Sequence, residues 1–155
     1  MGTKAFHYVI STLMSQLGIE GYEAELKEEE DVYTVTIEDK YSLHFVGAQQ
    51  GLLHVWSFPG KLPADVSRET LIVLLAVNGV TFDYPSFHVG LDHKSGELML
   101  WARHPLAELD SVTIRELFDL FVDLTERLQQ WILAGASLPL FASTTEGVQN
   151  VAQTV

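Results

Sequence analysis

Apolar residues return at spacings of three and four near the start of the chain: Phe6, Val9, Ile10, Leu13, Met14 and Leu17. That is one stripe of an amphipathic helix, and Gly18 just past it predicts a C-cap. The period then changes to two. Tyr33, Val35 and Ile37 alternate with threonines, Tyr41, Leu43 and Phe45 alternate with Ser42 and His44, and Leu52 to Ser57 makes a third run. The links EDK and AQQG are short enough for hairpins, so Val32 to Ser57 reads as an antiparallel meander. The acidic run Glu23 to Asp31 ahead of it reads as a solvated connection, since nothing in it fixes a coordination geometry.

FPGKLP interrupts the pattern at Pro59, Gly60 and Pro63. A second helix is expected from Asp65 or Ser67 to Asn78, ending at Gly79. Its centre, LIVLLAV, covers every side of a helix with apolar residues, and such a helix must be buried all round. In a domain of this size its own sheet can cover only one side. The other side is expected to meet a second copy of the chain.

From Phe87 the period is two again. Phe87, Val89 and Leu91 alternate with His88, Gly90 and Asp92; after the link HKSG, Leu98, Leu100 and Ala102 alternate with Met99, Trp101 and Arg103. Pairing Leu91 with Leu98 sets Val89 against Leu100 and Phe87 against Ala102 on one face. On the other, Gly90 meets Met99 and His88 meets Trp101, and Gly90 leaves a shallow gap there. Gly96 stands where the turn needs a left-handed residue. In the third run, Leu53 and Val55 pointing inward would put Leu52, His54 and Trp56 on that same outer face; the opposite parity would bury Trp56.

A third helix starts near Ser111, with its cap at Asp110, Ser111 or Thr113, the first residue of TIRE. Ile114, Leu117, Phe118, Phe121, Leu124, Leu128, Trp131 and Ile132 form its stripe, and Gly135 is a natural stop. The order is therefore α, βββ, α, ββ, α: an α+β domain over residues 1–135, an antiparallel sheet packed by helices, followed by a loosely packed tail over 136–155 rich in Ser, Thr, Gln and Ala.

Composition narrows the function. The chain has 155 residues, 47% apolar and 19% charged, which suits one folded domain. Asp and Glu number 21 against 9 Lys and Arg, a formal net charge of −12. That disfavours nucleic acid and anionic membranes, which reward cationic surfaces. It fits a basic partner, or a protein that must stay soluble while exposing apolar surface. With no cysteine there is no disulfide framework, thiol chemistry or Cys-based zinc site. No secretory signal pattern opens the chain, and the longest apolar run, Leu71 to Val77, is far too short to span a bilayer. A cytoplasmic protein is expected.

Enzymatic signals are weak. Neither the P-loop spacing nor the dinucleotide fingerprint occurs, and there is no GxSxG elbow. His44, His54 and His88 would hold a metal only if they met on one sheet face. Asp92 and Glu97 flank one turn, but carboxylates at an exposed hairpin tip lack the environment that tunes an acid–base pair. No cofactor is expected. Met99 and Trp101 on an outer face point instead to a protein partner, because leaving such side chains in water forgoes roughly 1.5–3 kcal/mol each.

The element order, length, acidity and lack of cysteine resemble the class I chaperones of bacterial type III secretion, the Tir chaperone family. The resemblance runs from about Ala5 to Ile132 and is most specific in FHVGLD, GELMLWARHPL and TIRELFDLFVDLTERLQQWI. It implies a homodimer without catalysis. Such a dimer holds the N-terminal chaperone-binding region of one or more secreted effectors in extended form, soluble and ready for the secretion ATPase. By position it places the dimer contact on Leu71, Ile72, Leu74, Leu75 and Trp101, with Trp101 able to serve either surface. It places effector contacts on Leu52, Trp56 and Met99, with help from the first helix. The tail has no counterpart and would cover a client groove in the free protein. Two other readings stay open: a regulatory domain on the same scaffold that binds a folded protein, and a small-ligand or metal domain built on the histidines.

Overall fold

A computed structural model describes residues 4–18, 23–27, 31–79 and 87–137. Its elements run α1 (Lys4–Leu17), β1 (Glu23–Lys27), β2 (Val32–Ile37), β3 (Tyr41–Val46), β4 (Leu52–Lys61), α2 (Arg68–Val77), β5 (Phe87–Leu91), β6 (Glu97–Pro105), a short 3-10 turn (Leu106–Glu108) and α3 (Ser111–Leu133). The strands form one antiparallel sheet in the order β1-β2-β3-β4-β6-β5. The α+β class and the order of helices hold.

Two local expectations fail. Glu23 to Asp31 is not simply a connection: Glu23–Lys27 pairs with β2 as an edge strand, Glu25 opposite Thr34. Alternating glutamates and lysine are poor strand formers, and it is this pairing that holds them extended. Nor does FPG end the third run. Register shifts between Ser57 and Gly60, and pairing resumes with Gly60 opposite Leu98 and Lys61 opposite Glu97. Pro59, which has no N–H to give, falls in that irregularity, where no ladder bond is lost.

The final hairpin has the expected register throughout, from Leu91 opposite Leu98 to Phe87 opposite Ala102. Gly96 has φ +73 and its N–H donates to the Asp92 carbonyl at 2.8 Å. In β4, Leu53 and Val55 are fully buried, which settles the parity and turns Trp56 outward.

The core lies on one side of the sheet. Phe6, Ile10 and Leu13 of α1 and Ile114, Phe118 and Phe121 of α3 join Val35, Leu43, Phe45, Leu53, Val55, Leu98 and Leu100 in a single cluster. A buried bond between Ser57 Oγ and Thr125 Oγ1, 2.7 Å, ties β4 to α3. The third helix is capped at Asp110, whose carboxylate accepts from the N–H groups of Val112 and Thr113 while Thr113 Oγ1 accepts from the Asp110 N–H. Packing continues one residue past Gly135, since Ala136 is buried. The rest of the expected tail, 138–155, and its expected role over a groove lie outside the described residues.

Helix α2 sits on the same side against β5. Ser67 caps it, and only Leu74 among its residues is buried. At its end Asn78 clamps the edge strand: its Nδ2 donates to the Val89 carbonyl and its Oδ1 accepts from the Val89 N–H, both at 2.7 Å. The side-chain amide occupies the ladder groups that β5 would otherwise offer to another strand, blunting that edge.

Candidate functional site: an open aromatic sheet face

Strand alternation sends every second side chain of β2 to β6 away from the helices. Cross-strand partners on that side form a continuous row. Thr34 stands opposite His44, His44 opposite Trp56, Trp56 opposite Trp101, and Trp101 opposite His88. Thr34 Oγ1 and His44 Nδ1 are hydrogen-bonded at 3.0 Å. The His88 ring lies against Trp101 with centroids 4.6 Å apart. Phe58, two residues beyond Trp56, meets His44 edge-on. Trp56 and Phe58 are each 37% exposed, and the helices described all pack on the opposite side.

Met99 lies beside this row opposite Gly90. A Cβ at Gly90 would stand 3.4 Å from Met99 Cε, so the methionine already fills the gap expected there. Leu52, half-buried, starts β4 opposite Pro105. His54 pairs with Arg103, and its imidazole is held below the ordinary histidine pKa by burial and then by the Arg103 charge. The structure thus gathers Leu52, Trp56, Met99 and Trp101 on one face, together with Phe58 and His88. Phe58 was hidden by the bulge, which the proline disguised as a chain break.

The second surface is α2. Its outward side carries Leu71, Ile72, Val73 and Leu75, with Ile72 50% and Leu75 71% exposed. Leu74 differs from the expectation: it turns inward, 7% exposed, because it anchors the helix to the sheet. An apolar groove of about 270 Å³ lies between helix and strand, lined by Leu62, Leu71, Leu74, Leu75, Val89 and Leu91. Trp101 is on the sheet face away from α2, opposite Trp56 and His88.

A metal ion shared by His44, His54 and His88 fails on geometry. His44 and His88 are separated by β4 and β6, three strand spacings or roughly 14 Å, too far for one ion. Among the described residues no cluster of His, Asp or Glu could hold a metal. Asp92 accepts from the Lys94 N–H and the Ser95 hydroxyl, bonds that hold its carboxyl below the usual range. It braces the hairpin turn and stays ionised, which does not suit a proton donor near neutrality.

A sequence profile of the Tir chaperone protein (CesT) family matches residues 9–129. The chain belongs to this family. No curated protein matches it significantly by sequence. Among solved structures, one similar chain comes from the Yersinia pestis type III secretion chaperone SycH in complex with a stable fragment of YscM2. It is 20% identical, with TM-score 0.66 over 79% of this chain and 98% of that one. A chain of the ExoT–SpcS complex from Pseudomonas aeruginosa is 22% identical, with TM-score 0.59 over 80% and 97%. A chain of the HopA1–SchA chaperone–effector complex is 13% identical, with TM-score 0.65 over 81% and 94%. Each shares the fold with the family member described here. Among the described residues no helix is long and apolar enough to cross a membrane.

Proposed function

We propose that this chain is a type III secretion chaperone. It binds the N-terminal chaperone-binding region of one or more effectors in extended form, keeps them soluble in the cytoplasm and presents them to the secretion ATPase. The observation that carries this reading is the Trp56–Trp101 row: a paired-aromatic sheet face that no described helix covers, in a chain of a chaperone family. Aromatic surface left open by a protein's own fold forgoes burial energy, and a bound segment recovers it. An aromatic face, and not a flat polar one, suits an unfolded client better than a folded regulatory partner.

The protein acts by binding and not by catalysis, and needs no cofactor. It works as a homodimer through the outward side of α2, Leu71, Ile72, Val73 and Leu75, whose exposure in a single copy calls for a cover. Leu52, Trp56, Met99 and Trp101 carry the client. Ordering an unfolded segment costs entropy, so a broad contact is needed, and a dimer doubles the available face. Affinity capture from the native cell, with the complex mass read by light scattering, tests this. The reading predicts two copies with one partner, bound through that partner's N-terminal region. A monomer with no protein partner would overturn it.

A further inference from the structure

The two flanks of α2 border different spaces. Leu71, Leu74 and Leu75 line the groove toward β5. On the other flank, Thr70 and Val73 face the C-terminal end of α3 across an open cleft of about 460 Å³. Val73, Trp131 and Ala136 make its wall largely apolar. Val73 is 42% exposed there, on a helix whose one buried residue is Leu74. A cavity of about 150 Å³ already holds a benzene ring, so the cleft has room for a phenylalanine and a leucine together.

The chain itself is led to the mouth of this cleft. In the turn after α3, Gly135 has φ +79 and Ala136 has φ +55, a left-handed conformation that alanine seldom takes. Two bonds hold it. The Ala136 N–H donates to the Trp131 carbonyl at 2.9 Å, and the Thr70 hydroxyl donates to the Ala136 carbonyl at 3.1 Å. Ala136 is buried, and Ser137 lines the cleft. The described residues stop there, and 138–155 follow. The segment opens with Leu138, Pro139, Leu140 and Phe141, and its one charged side chain is Glu146.

We propose that Leu138, Leu140 and Phe141 seat in this cleft as an intramolecular strap that clasps α2 to the end of α3. Pro139 cannot continue a helix and biases Leu138 to extended backbone, so apolar side chains are offered within a few residues of the exit. They leave water together with Val73. An uncharged stretch suits a chain of net charge −12 with Glu69 on the cleft rim, because it adds no repulsion. The tether decides the occupant. A segment that starts one residue from its site has an effective concentration on the order of millimolar, which a client or the tail of a second copy would have to exceed. The strap leaves Leu71, Ile72 and Leu75 to a second copy. It lies on the helix side of the sheet, so it covers the flank of α2 and not the Trp56–Trp101 face. The inference stands apart from the chaperone reading and survives its failure.

The chain has no cysteine, so a pair of introduced thiols reports one proximity. Glu69→Cys on the cleft rim is combined, in the full-length protein, with Ala142→Cys just past Phe141. Oxidation by copper phenanthroline is followed on non-reducing gels, and circular dichroism checks the fold. The expected product is a cross-link within one chain. Leu138→Ser, Leu140→Ser and Phe141→Ser, added together to the same pair, are expected to slow it at least about tenfold by releasing the strap. An unchanged rate would show a segment that is merely near the cleft and would overturn the proposal. No cross-link would overturn it too, as would one joining two chains, which would seat the segment on a second copy. Amide exchange gives a check free of thiols. The triple serine variant should speed exchange along residues 68–77 at least about tenfold, with β2 and β3 unchanged. Unaltered exchange in α2 would remove the clasp. Client capture by the wild-type chain is read separately and does not depend on any of these results.

Discussion

Trp56 of β4 and Trp101 of β6 stand directly opposite each other on the face that the described helices leave open. His44 and His88 flank them, so a polar ring bounds each end of the aromatic pair. Trp56→Ser and Trp101→Ser are predicted to weaken client binding by about 2 kcal/mol or more each, as central aromatic anchors do. Neither side chain belongs to the buried cluster, so the folded state should survive both. Calorimetric titration of a purified client segment reads the first effect, and circular dichroism reads the second.

The outward residues of α2 separate dimerisation from folding. Leu75→Glu places a charge on the most exposed position of that side and is predicted to give a folded monomer by light scattering. Leu74→Ala, on the inward side, should instead lower stability by about 2–5 kcal/mol, measured by denaturant unfolding. Similar behaviour of the two variants would contradict the division of the helix into an anchoring side and a partner side.

Asn78 holds β5 through both backbone groups of Val89. Asn78→Leu removes the two bonds and leaves those groups to find water or another strand. The expected cost is about 1–3 kcal/mol, with faster amide exchange at Val89 as the local signature.

Gly47 is required by contact. A Cβ there would stand 2.5 Å from Phe6 Cγ, inside the ring of a fully buried side chain. Gly47→Ala should therefore cost about 1–3 kcal/mol by overpacking α1 against β3, read from the denaturation midpoint.

Acid sensitivity should begin at the histidines. Burial holds His104 below the ordinary value of 6.5, with Glu108 pulling the other way. His54 is lowered in the same direction. When the folded pKa is the lower one, the unfolded chain takes up protons first as pH falls. Stability is then complete above pH 6.5 and declines as pH drops through the folded values. His104→Gln should flatten that decline in unfolding curves taken between neutrality and about pH 5, above the range where carboxylates titrate.

Much of this was legible in the sequence because the strands alternate strictly. Leu98, Leu100 and Ala102 against Phe87, Val89 and Leu91 leave one possible register once Gly96 sets the turn. Trp56 was ambiguous, since either parity of Leu52 to Ser57 buries an apolar set; only the surrounding core decides. Glu23–Lys27 was illegible as a strand because its hydrogen bonds, and not its composition, make it one. Phe58 was lost for the opposite reason: Pro59 and Gly60 spell a chain break, yet the ladder steps over them. Leu74 could not be told from its neighbours while every side of LIVLLAV is apolar, and it took the position of β5 to choose the inward residue.

The central claim is that the open aromatic face carries the client. It is tested most directly by capturing partners from the native cell on the wild-type chain and on the Trp56→Ser, Trp101→Ser double variant side by side. The account predicts a wild-type dimer bearing an effector through its N-terminal region, and a variant dimer of the same stability that comes back empty. A variant that retains the effector in full would place the client elsewhere and contradict it.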